Sequence, residues 1–159
     1  MKNQKGQTLL ETLLALSAAV FILSAITSVV ISSLSNTTFT KNQNLANQYA
    51  QEGLEVIRQI KSSSWATFSG LASNNCLPQS KILTASSNCI MDGIVGIFIR
   101  AIDIDHVSSE CPDSGGNPIG SKVASTVFWS DGKCPAGNPY CHKVEIISCF
   151  YNIEVKPTP

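Results

Sequence analysis

Charge is scarce in this chain, and what there is cancels. Its 159 residues hold eleven Lys and Arg against eleven Asp and Glu, a formal net charge of zero. A nucleic-acid binder needs a basic patch or stripe to meet phosphates, and neither that nor a charged tail is written here, so a nucleic-acid partner is not expected. Catalytic signatures are missing as well. There is no G-x-S-x-G, no H-E-x-x-H and no Cys/His pair that would survive oxidation, so no enzyme is expected. No cysteine precedes Cys76 and none is spaced Cys-x-x-Cys, which argues against a thiol oxidoreductase and a tight zinc-binding pair.

The longest absence runs from Thr12 to Thr40, where no side chain is charged. The apolar stretch over residues 9–34 exceeds the roughly 20 residues that span a bilayer. Lys2, Lys5 and the starting amino group precede it, and the next cation is Lys41. By the positive-inside rule the N-terminus stays cytoplasmic and the rest is exported, giving a single-pass protein of the inner membrane. All six cysteines lie in that exported part, an even number that reads as disulfides in an oxidising compartment. Six cysteines allow fifteen pairings, and sequence does not choose among them. Loop lengths favour Cys76 with Cys89, Cys111 with Cys149, and Cys134 with Cys141.

One carboxylate, Glu11, stands at the edge of the apolar run. A charge inside hydrocarbon costs on the order of 2.5–3.5 kcal/mol unless a cation meets it. A cleavable secretory signal would end at a small-x-small site after 7–15 apolar residues, but the run continues past both Ala18-Ala19 and Ser24-Ala25. An ordinary signal anchor fits the length and leaves Glu11 only to snorkel towards the cytoplasmic surface.

The third reading is more specific. Lys5-Gly6-Gln7-Thr8-Leu9-Leu10-Glu11, with a short basic leader before it and an apolar helix after it, resembles the class III signal of type IV prepilins and pseudopilins. That resemblance implies that prepilin peptidase cuts between Gly6 and Gln7 and that the new terminus is N-methylated. It also implies that Glu11, then the fifth residue, pairs with the freed amino group of Gln7 on a neighbouring subunit. Such a pair would act as a registration device, since a paired buried charge is tolerable where a lone one is costly. The implied partners are other pilin or pseudopilin subunits, prepilin peptidase, an inner-membrane assembly platform and, before assembly, membrane lipid. Two features depart from the family's commonest pattern: Gln7 stands where Phe or Met is usual, and no proline occurs between Gln7 and Leu77.

Residues 44–58 (NLANQYAQEGLEVIR) resemble the amphipathic half of the helix in V-type minor pilins and I-type type II secretion pseudopilins. Read directly, Leu45, Tyr49, Gly53, Val56 and Ile60 recur at helical spacing and form one face. Gly53 in a helix costs about 1 kcal/mol against Ala, and a close helix-to-sheet approach is its expected reason. One helix is predicted over residues 9–61. A polar collar spans 32–40, Ser62-Ser63-Ser64 ends the helix, and Trp65 and Phe68 fold back on its last turns. Strands are predicted over 94–105, where Ile102 and Ile104 alternate with Asp103 and Asp105, over 122–130, closed by Asp131-Gly132, and over 143–155. The expected architecture is α+β, a long N-terminal helix packed on a small antiparallel meander of three to four strands. Its expected segments are a leader (1–6), a membrane or filament-core helix (7–35), an amphipathic continuation (36–61) and a disulfide-bonded exported domain (62–159).

Cys134, Cys141, His142 and Cys149 suggest a zinc set, but the oxidising compartment favours disulfides, and no metal or cofactor is expected. Asp103, Asp105, Glu110 and Asp113 form the densest acidic group. The glycine and closing glutamate of an EF-hand are missing, so a solvated face is expected rather than a calcium loop. His106 reads as a loop residue. The function expected is a minor pilin or pseudopilin, a structural filament subunit. Minor is favoured over major because the long loops 73–88 and 108–120 would crowd a surface repeated along a fibre. The alternative is a signal-anchored binding module that never assembles, which has no use for the Gly6/Glu11 pair.

Overall fold

In a computed structural model the protein is described over residues 5–112 and 120–152, with side chains from Thr8 onward. Lys2, Asp113 and the last residues of the third expected strand, 153–155, lie outside the described residues. The chain forms two compact units, Met1–Lys41 and Asn42–Pro159. Helix α1 (Lys5–Ser63) contributes to both. It is uninterrupted because residues 7–63 contain no proline and only one glycine, Gly53. It stops where Ser64, in extended conformation, accepts a bond from Thr67 N and caps the short helix α2 (Trp65–Ser69). Phe68 of α2 is fully buried and Trp65 packs beside it, as expected of residues folding back.

Six antiparallel strands follow: β1 (Asn74–Cys76), β2 (Thr84–Ala85), then after helix α3 (Cys89–Asp92) β3 (Ile94–Val95), β4 (Phe98–Asp105), β5 (Ser121–Trp129) and β6 (His142–Phe150). The order is β2-β1-β4-β5-β6, with β3 paired to β4. The α+β architecture is thus as expected, and β4, β5 and β6 are its meander. Details differ. The run 94–105 is not one strand, because Gly96 takes φ +62° and folds β3 back on β4 in a hairpin. The strand begun at 143 stops at Phe150. Strands β1 and β2 and helix α3 are too short to carry a periodic signal.

Within the second unit, the end of α1 lies on the sheet. Its buried residues are Ala46, Ala50, Gly53, Leu54, Val56 and Ile57, so Gly53 and Val56 of the expected stripe are buried, with Leu45, Tyr49 and Ile60 at the margins. The stripe read from the large residues thus extends to small ones, which let the backbones approach. Opposite them, Val123, Ser125, Val127 and Trp129 of β5 and Ile102 and Ile104 of β4 face the helix and are buried. Asp103 and Asp105 point to the other, exposed face. A Cβ on Gly53 would collide with Ser125 Oγ and stand 2.9 Å from Ile102 Cδ1. Close approach, not chance, accounts for this glycine.

Three disulfides join Cys76 to Cys89, Cys111 to Cys149 and Cys134 to Cys141, the pairs that loop length singled out. The first ties β1 to α3. The second ties the loop after β4 to β6 across 38 residues, and the third closes only seven, within the β5–β6 connection. A chain-entropy estimate ranks them at about 4 kcal/mol for the longest and about 2.5 kcal/mol for the shortest.

Gly53→Ala is expected to destabilise the protein by about 1–3 kcal/mol through overpacking, although alanine is the better helix former by about 1 kcal/mol. Combining it with Ser125→Gly should recover a large part of the loss. Equilibrium unfolding of the two single variants and the double variant checks this, and simple additivity would count against the contact.

Candidate functional site

The unit Met1–Lys41 carries its surface where other folds carry a core. Its helix is long and apolar enough to cross a membrane. The large apolar side chains from Leu9 to Leu34 are all 49–75% exposed. A helix that is hydrophobic all round is stable only inside lipid or among other apolar segments. Its polar atoms suit such surroundings. The hydroxyls of Thr12, Ser17, Ser24, Thr27 and Ser28 each donate to a backbone carbonyl three or four residues back, at 2.8–3.0 Å. Thr37 and Thr38 in the expected collar do the same. No water is needed to satisfy these groups.

Glu11 cannot be satisfied in that way, because a helix interior offers no free backbone donor. Among the described side chains none forms an ion pair with it. It is the one charged residue between Lys5 and Lys41. The Gly6–Gln7 bond lies in the first turn of α1, and the side chains of Lys5 and Gln7 are outside the described set.

In the second unit the most consequential polar group is one the sequence reading passed over. Arg100 sits on the helix-facing side of β4, its side chain 3% exposed. Its Nη1 donates to Glu52 Oε2 of α1 at 2.5 Å, Nε to Leu77 O at 2.9 Å and Nη2 to Pro78 O at 2.7 Å. The guanidinium also lies 5.4 Å from the centre of the Tyr49 ring. Glu52 Oε1 accepts from Lys81, which closes the Pro78–Lys81 turn at φ +60°. Lys81 and then Arg100 hold the Glu52 carboxyl below its ordinary value, against the opposing effect of burial.

The acidic group does not form one site. Glu110 is ion-paired to Lys122 at 2.7 Å, while Asp103 and Asp105 stay on the outer face of the sheet. Burial, and then the neighbouring Glu145, push the Asp103 carboxyl up. His106 does more than the loop residue it was expected to be. Its Nε2 lies 2.8 Å from Leu71 O and its ring stands edge-on to Phe68, pinning the segment after α2. The imagined zinc set is also broken up. Cys149 belongs to Cys111, and Asp131 instead stands beside Cys134, Cys141 and His142. The expected turn explains that placement, since Asp131 O accepts from Cys134 N at 3.2 Å. No family model, curated protein or solved structure matches this chain.

Removing Glu52 leaves a buried guanidinium short of its carboxylate, so Glu52→Ala should cost about 1.5–3 kcal/mol. Arg100→Met, which leaves Glu52 with Lys81, should cost less. Because the folded-state pKa of Glu52 is depressed, its contribution is complete above the ordinary value of 4.5 and is lost as pH falls below it. Glu52→Gln should therefore flatten the acid limb of a stability–pH curve, measured by chemical unfolding between pH 3 and 7.

Proposed function

We propose that the protein is a minor pilin or pseudopilin, a membrane-inserted precursor that is cut after Gly6 and packed through the apolar half of α1 into a filament. The observation that carries this reading is Glu11, a carboxylate with no ion-pair partner among the described side chains, at the head of a stretch of α1 that is uncharged from Thr12 to Thr40 and whose large apolar side chains are exposed. In the filament its counter-charge is the α-amino group of Gln7 on a neighbouring subunit. Prepilin peptidase creates that amine, and the assembly platform lifts the helix out of lipid. Lipid tails and neighbouring helices are similarly apolar, so the transfer involves little hydrophobic cost and the ion pair sets register. The disulfide-bonded unit is then displayed on, or at the end of, a type IV pilus or type II secretion-like fibre.

The test separates this from a signal-anchored module. The mature chain should begin at Gln7, as read by N-terminal mass, and Gly6→Val should retain the leader. Glu11→Ala should leave insertion, cleavage and disulfides intact while reducing fibre incorporation at least about tenfold, the factor expected from losing more than 1.4 kcal/mol. Glu11→Gln should fail almost as badly, because it keeps shape but not charge. Normal incorporation of both variants beside an unchanged membrane pool would instead support the unassembled binding module.

A further inference from the structure

The bridge Cys134–Cys141 differs from the other two in loop length and in exposure. It closes the shortest loop, seven residues against 13 and 38. Both its cysteines are partly exposed, whereas Cys76 and Cys111 are fully buried. It lies wholly within the β5–β6 connection, so opening it frees no element from the core. Both of its ends are partly open to an attacking thiolate, where each of the other bridges has one such end, Cys89 or Cys149, and one fully buried end.

What surrounds these sulfurs is a ligand set. One atom each from Asp131, Cys134, Cys141 and His142 all lie within 4.8 Å of one another. The donors on a tetrahedral zinc stand about 3.3–3.8 Å apart, given bonds of about 2.0–2.3 Å. His142 Nε2 and Asp131 Oδ2 are already 3.0 Å apart. Each is held in place: Asp131 Oδ1 accepts from Lys133 N at 2.9 Å, and the His142 ring stacks on the buried Trp129, centroids 5.3 Å apart. The backbone N–H of Cys141 donates to Cys134 Sγ at 3.3 Å. Two thiolates, an imidazole and a carboxylate form a closed four-coordinate set suited to zinc.

We propose that this loop is a redox-gated zinc site, bridged when oxidised and metal-binding when reduced. A dithiol reductant transfers two electrons and two protons to the disulfide, becoming a disulfide itself and leaving two thiols. Each thiol then releases its proton to water as it binds Zn²⁺. Zinc and oxidation compete for one pair of sulfurs, so the metal shields the loop from oxidation and oxidation expels the metal. The proposal does not depend on filament assembly.

Full-length oxidised protein in detergent is treated with dithiothreitol until alkylation and peptide mass spectrometry find Cys134 and Cys141 reduced and the other bridges intact. It is then titrated with Zn²⁺ against a chromophoric chelator. One zinc per chain is expected after reduction and none before it. His142→Ala and Asp131→Asn should each weaken binding at least about tenfold. Co²⁺ should give the visible bands of a tetrahedral thiolate site. The proposal is overturned if the reduced protein takes up no zinc, if both substitutions leave the affinity unchanged, or if this bridge does not open before the other two.

Discussion

A guanidinium with 3% of its side chain exposed must find a carboxylate and carbonyl acceptors where it stands, because a buried charge left without partners is among the costliest defects a fold can carry. Arg100 finds them on two segments at once: Glu52 on α1, and Leu77 and Pro78 in the connection after β1. Strand β4, which carries it, is hydrogen-bonded to β1, β3 and β5. Sliding the end of α1 along the sheet by one turn would strip the guanidinium of its counter-ion, whereas apolar contacts alone would tolerate such a shift more readily. The close seat of Gly53 on Ser125 and the ring of Tyr49 over Arg100 both require that register.

How much of this was legible depends on the range over which each feature is determined. The helix, the Ile/Asp alternation at the end of β4 and the turn at Asp131-Gly132 are local, and they were read from spacing. Arg100 was not, since a charge in a strand looks like the solvent face until its partners 48 and 23 residues away are known. Ala46 and Ala50 escaped for a different reason: small side chains give a weak apolar signal although they mark the closest packing. The hairpin at Gly96 was marked only by the glycine itself, and the β-branched residues on either side of it read as one strand. In the candidate site, Glu11 announced itself by charge alone, and no ion-pair partner for it occurs among the described side chains. Asp131 joined the cysteine cluster only through the turn that carries it.

The two halves of α1 meet opposite physical demands with one secondary structure. From Asn42 onward the helix is amphipathic, and water drives its apolar face onto the sheet. Before that, water supplies no such face, and the serine and threonine hydroxyls bond back to their own carbonyls. The price in the first half is a segment that requires lipid or other helices around it. In the second half it is a glycine at an otherwise unfavourable helix position.

Strand β6 lies at the edge of the sheet among the described residues, where backbone groups on one side have no neighbouring described strand. Such strands ordinarily peel from their free end, one residue pair at a time, and invite exchange with a second chain. Here Cys149, the penultimate residue of the strand, is bonded to Cys111 in the loop after β4, so a covalent bond holds one end of it. With the Cys111–Cys149 bridge closed, fraying from the C-terminal end of this outermost strand meets a covalent stop one residue inside it.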